Sequence, residues 1–174
     1  MLANTHTLKS ENRSTGTVVI GFGNLLLKDE GVGVHIIQSL QKLSLEENGE
    51  LMIIDGGTCP DILYLLPEGI GKLIIVDAVK GGGKPGDIYR FTPNDFIFSR
   101  GIFTSVHQIG LAECLKGLEL LDAQPSEIII IGVEPKDLDW GFEISQELKK
   151  ILPQVIDLLV KEVNSTKMIR TSAI

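Results

Sequence analysis

The apolar positions of this chain fall into five short runs, at residues 17–22 (TVVIGF), 50–55 (ELMIID), 72–77 (KLIIVD), 86–91 (GDIYRF) and 127–133 (EIIIIGV). Four of them are almost continuously apolar and rich in β-branched residues, the pattern of parallel strands covered on both faces. The run at 86–91 alternates and reads as an edge strand. Helical spacing fills the intervals. Val32, Val34, Ile36, Ile37, Leu40 and Leu43 make one face of a helix over 31–43. Thr58 or Cys59 can cap a second helix with Pro60 at its first position, where a missing N–H costs nothing; Pro67 and Gly69 stop it. Ser105 reads as the N-cap of a helix over 106–121 with Leu111, Leu115 and Leu118 inward. A last amphipathic helix is expected over 143–163, interrupted or kinked at Pro153. Residues 92–104 read as irregular, with Phe96, Phe98 and Phe103 packing a loop.

Strands alternating with helices predict an α/β fold, a mostly parallel five-stranded sheet in a three-layer αβα sandwich. Residues 1–16 are expected to be a flexible leader, 17–163 a single domain, and 164–174 a polar tail. In open sheets of this kind ligands bind beyond the carboxyl ends of the strands, where the strand order reverses. If the first strand is central, that point lies between strands one and three. It is flanked by the loop 24–30 and by Asp77.

Composition narrows the function classes. A length of 174 residues suits one domain with a full core. The net charge of −7 argues against non-specific nucleic-acid binding, which needs a basic face. Cys59 and Cys114 form no CxxC pair and read as reduced thiols. The first 16 residues lack the apolar core of a signal peptide. No apolar run approaches the roughly 20 residues that span a bilayer. A cytoplasmic protein, without nucleic-acid or membrane partners, is the expectation.

The candidate chemistry sits in VVIGFGNLLLKDEGVGVH, residues 18–35. Gly21 and Gly23 invite a dinucleotide reading, but Leu26 stands where the third glycine belongs, and Asp29 and Glu30 would repel a pyrophosphate. A Gly-rich loop that ends in carboxylates points to a cation instead. Walker, HExxH and GxSxG signatures are absent. Strands one, two and three all lead into acids. Asp29 and Asp55 read as loop-bonding acids, whereas Glu30 and Asp77 flank the expected switch point. Of the three histidines, His6 lies in the leader and His35 reads as a surface or packing residue. His107 falls in the first turn of a helix, where the positive end of the dipole disfavours imidazolium and leaves a lone pair for a metal. Two carboxylates and an imidazole suit Ni²⁺, Zn²⁺ or Fe²⁺; spacing does not choose among them.

Taken in order, GFGNLLLKDEGVGV from Gly21, DGGT from Asp55, IVDA around Asp77, Pro85-Gly86 and SVHQIGL around His107 resemble the [NiFe]-hydrogenase maturation endopeptidases. The resemblance spans residues 17–160. It implies a twisted five-stranded sheet between helices and a protease that removes a C-terminal extension from the hydrogenase large-subunit precursor after nickel insertion. It carries the nickel-contacting trio over to Glu30, Asp77 and His107, both as metal contacts and as catalytic residues. Nickel would then be carried by the precursor, and the protease would act as a monomer. Some members have Asp at the position of Glu30. Pro60 departs from the family, which often has Gly shortly after the GGT. A carboxylate not bound to metal, Asp29 or Asp55, could serve as the base. Two rivals use the same rim: a non-catalytic nickel-binding assembly factor and a general metallopeptidase.

Overall fold

The computed structural model describes residues 16–45, 50–67, 69–98 and 108–170. The strands are β1 (Thr17–Phe22), β2 (Leu51–Gly57), β3 (Lys72–Ala78), β4 (Ile88–Phe91) and β5 (Glu127–Val133). They form one sheet in the order β2-β1-β3-β5-β4. β1, β2, β3 and β5 run parallel, and β4 lies antiparallel on the outer edge of β5. The alternating run is thus the edge strand. The chain winds from β1 out to β2 and crosses back to β3 on the other side of β1, so the order reverses between β1 and β3.

The helices are α1 (Val32–Gln41), α2 (Pro93–Phe98), α3 (Gln108–Leu120) and α4 (Gln146–Arg170). The period-2 geometry of a strand sends alternate residues to opposite faces. Val19, Ile74, Val76, Ile129 and Ile131 pack with Ile36, Ile37 and Leu40 of α1 and Leu148, Val155 and Leu159 of α4. Ile20, Phe22, Leu73, Ile75 and Ile130 pack with Leu63 and with Leu111, Leu115 and Leu118 of α3. Every residue of β1 and β3 is buried, the physical basis of their continuous apolar character. Among the described residues, no helix is long and apolar enough to cross a membrane.

Four details depart from the sequence expectations. Residues 60–65 form a 3-10 helix, not an α-helix. Proline at both Pro60 and Pro67 leaves too short a run, and Leu66 is extended, as a residue before proline prefers. Residues 28–31 form a separate 3-10 turn, and α1 proper starts at Val32. The stretch expected to be irregular contains the short α2. Finally, α4 runs unbroken through the exposed Pro153 and on to Arg170, past the expected end at 163. Contacts to β3 fix its extra turn: Lys72 Nζ donates to Glu162 O at 2.9 Å and to Ser165 Oγ at 3.1 Å. Residues 1–15 of the expected leader 1–16, the aromatic Phe103 and the cap Ser105 lie outside the described residues.

Candidate active site

The site is built by a close approach of helix to sheet. A Cβ on Gly33 would stand 2.1 Å from Phe22 O and 2.5 Å from Val76 O. Only glycine lets the first turn of α1 rest on the carboxyl ends of β1 and β3 together. Gly23 allows a second approach, since a Cβ there would meet Glu30 O at 2.5 Å. The loop from β1 is therefore folded tightly back, and the 3-10 turn carrying Glu30 lies against β3.

Within that loop, Leu27 N–H donates to Asn24 O at 3.0 Å and Leu26 N–H to Asn24 Oδ1 at 2.9 Å. Asn24 N–H donates to Glu30 Oε2. Glu30 and Asp77 are each only 2% exposed. Asp77 follows Val76, which pairs with Gly21 of β1, and its Oδ1 accepts Ala78 N–H at 2.8 Å. The fold thus brings Glu30 and Asp77 to the same rim, at the switch point. His107 lies outside the described residues; α3 begins at the next position, Gln108. Among the described residues no group of three His, Cys, Asp or Glu side chains is arranged to hold a metal ion.

The neighbouring acids have other work. Asp29 is fully buried, and its carboxylate accepts N–H groups from Lys136 at 2.9 Å, Asp137 at 3.0 Å and Ser145 at 2.6 Å. It is a clamp between the β1 loop and the loop after β5, with oxygens already committed, and it leaves the set of candidate bases. Asp55 is exposed at the end of β2, and its Oδ1 accepts Gly57 N–H at 3.0 Å. His35 is half-buried on α1; burial lowers its pKa, with Lys149 adding to the effect, so it packs as a neutral ring.

Two supports were not visible in the sequence motifs. Lys28 adopts a left-handed backbone, φ 43°, a conformation that costs a non-glycine residue on the order of 1 kcal/mol. It is held there by Lys28 N–H donating to Gly141 O at 2.9 Å and by the Lys28–Asp137 ion pair. That pair raises the Lys28 pKa and lowers that of Asp137. Glu134 ties down the loop that follows Asp77, accepting from Gly81 N–H at 2.7 Å and from the Tyr89 hydroxyl at 2.6 Å. Burial, reinforced by that hydrogen bond, pushes the Tyr89 hydroxyl up to about 12. Cys59 and Cys114 are both free thiols; Cys114 is buried and pushed up to about 11, chiefly by desolvation.

The chain matches the family model HycI, hydrogenase maturation protease, over residues 34–162, a span that includes Asp77 and His107 and begins after Glu30. It is 30% identical over 151 residues to the hydrogenase expression/formation protein HupD of Rhizobium leguminosarum bv. viciae, covering 85% of this chain and 74% of that protein. It is 27% identical over 157 residues to the coenzyme F420 hydrogenase subunit delta of Methanothermobacter thermautotrophicus, covering 86% and 96% of the two chains. The fold superposes on the hydrogenase maturating endopeptidase HybD from E. coli with a TM-score of 0.74 at 25% identity, over 87% of this chain and 93% of that one. It superposes on the [NiFe] hydrogenase maturation protease HybD from Thermococcus kodakarensis with the same TM-score at 27% identity, over 85% and 99%. Family model, sequence identity and fold agree, and the chain belongs to the hydrogenase maturation protease family.

Proposed function

We propose that this protein cuts a C-terminal extension from the precursor of a [NiFe]-hydrogenase large subunit, and that it does so after reading the nickel the precursor carries. The observation that carries this reading is the pairing of Glu30 and Asp77, two buried carboxylates from different elements on one rim. Two buried acids on one rim offer carboxylate oxygens from two directions, the donor type that suits a divalent cation. Their oxygens, with the imidazole of His107, make a set that suits a borderline divalent ion. Here nickel is part of the substrate, so cleavage is coupled to metal loading: a nickel-free precursor offers these groups no positive charge.

Hydrolysis adds a water oxygen to the scissile carbonyl carbon, breaks the C–N bond and delivers a proton to the leaving amine. The carboxylates of this chain orient the nickel-bearing centre and hold the carbonyl beside it. A group near the rim takes the proton from water; with Asp29 committed to backbone amides, Asp55 is the remaining one of the two acids.

The test is the mass of the large subunit after incubation with this protein. A nickel-loaded precursor should lose its tail, and a nickel-free one should not. Equal cleavage of both would remove the nickel-reading role. Tight binding without a change of mass would assign the chain to the assembly factors. His107→Ala should abolish the cut.

A further inference from the structure

We infer that Leu26, Trp140 and Phe142 form the ledge on which the body of the large-subunit precursor docks; the inference rests on the function proposed above. These side chains are 46%, 79% and 75% exposed, on two loops at the carboxyl end of the sheet. The loops are joined through the backbone. Gly141 N–H donates to Leu26 O, and Lys28 N–H donates to Gly141 O, both at 2.9 Å. Leu27 and Gly141 form a parallel bridge. The Asp29 carboxylate, with its three amide donors, staples the same two loops from beneath. The Lys28 side chain lies over Gly141, where a Cβ would stand 3.0 Å from its Cγ and Cε.

An apolar side chain on a wandering loop tip needs no explanation. A Trp and a Phe held out by a stapled pair of loops are different, because their order serves no core. Their position names the occupant. Leu26 lies in the loop whose amide, at Asn24, holds Glu30, and Glu30 N–H donates to Leu27 O at 3.0 Å. A macromolecule that brings a metal centre to Glu30 therefore also reaches this ledge. Charge sets the chemistry of the contact. Around the ledge, Lys28 pairs with Asp137, Lys136 with Glu147 at 2.8 Å, and Lys149 with Glu143 at 2.8 Å. Those pairs match one another, and Asp139, exposed beside Trp140, adds one acid, so the fitting surface is an apolar patch on the precursor with a basic edge. Exposed Trp is the residue type that most often dominates such contacts.

The experiment measures binding and processing of the nickel-loaded precursor by wild type, Trp140→Ser, Phe142→Ser and a control, Leu120→Ser. Leu120 is 80% exposed at the end of α3, which leads into the amino end of β5 and so lies away from Glu30. Each ledge variant should weaken binding by roughly 10–100-fold and raise KM in step, with kcat and Tm unchanged. The control should behave as wild type. Ledge variants that bind and process normally would overturn the docking role and leave the proposed function standing. A wild type that neither binds nor cuts the precursor would overturn both. A ledge that instead mediates self-association, seen as a sedimenting dimer lost in Trp140→Ser, would give it to a second copy of the chain and refute the inference. Should Trp140→Ser lower Tm, the Phe142→Ser result decides.

Discussion

The two ends of β3 carry equally buried ionisable residues, which the proposed function puts to different uses. Lys72, at the amino end, is 1% exposed, and Asp77, at the carboxyl end, is 2% exposed. Lys72 is wrapped in compensation: Glu162 Oε2 at 3.2 Å, Glu127 Oε2 at 3.4 Å, Ser165 Oγ at 3.1 Å and the carbonyl of Glu162. Its charge is satisfied by the fold, and its work is to fasten α4 to the sheet. Asp77 shares its rim with a second acid, Glu30. Burial alone does not separate a structural charge from a functional one.

The comparison can be broken by substitution. Asp77→Asn keeps shape and the Ala78 hydrogen bond but loses the charge. Precursor processing should fall at least ~100-fold, equivalent to about 2.7 kcal/mol of transition-state stabilisation, with Tm essentially unchanged. Near-normal processing would show that Asp77 is as structural as Lys72. Asp29→Ala should do the reverse. It orphans three amide donors under a strained loop, and urea unfolding should report a loss of about 3–5 kcal/mol. An unchanged midpoint would refute the clamp.

Lys72→Met should cost less, about 2–3 kcal/mol, because Arg90 still holds Glu162 at 2.6 Å after the lysine is gone. Activity per folded molecule should match wild type; a lost activity with intact folding would erase the contrast between the two ends. The smallest effect is in acid. Arg90 first, and Lys72 after it, hold the Glu162 carboxyl below its ordinary value of 4.5. A depressed folded-state pKa contributes stability that is complete above about pH 4.5 and is lost as pH falls through the lower folded value. Melting curves of Glu162→Gln should therefore converge on wild type below that range and diverge above it. Parallel curves throughout would mean that the carboxylate contributes nothing through its charge.

Much of the fold could be read from residue order. β1 and β5 begin and end where their apolar runs do, because strands buried on both faces admit no polar residue except at their ends. The outer position of β4 followed from its alternation. The α3 face was legible in Leu111, Leu115 and Leu118, all buried. Misread elements were those where distant contacts outvote local pattern. The turn beyond residue 163 exists because Lys72, some 90 positions away, bonds to Glu162 and Ser165.

The site divides the same way. The sequence determined which groups are on offer: which acids leave which strands, and which glycines are available for close approach. It already set Glu30 at the switch point and read its neighbour Asp29 as a loop-bonding acid, but it could not say which amides Asp29 bonds. Those partners come from the loop after β5, more than 100 residues on, whose amides close over the Asp29 carboxylate. Nor did the lone Trp announce a ledge until Gly141 joined its loop to Leu26. Local sequence fixes which groups a segment can offer. Hydrogen bonds between distant segments decide which of them are used up in holding the fold, and which are left for chemistry.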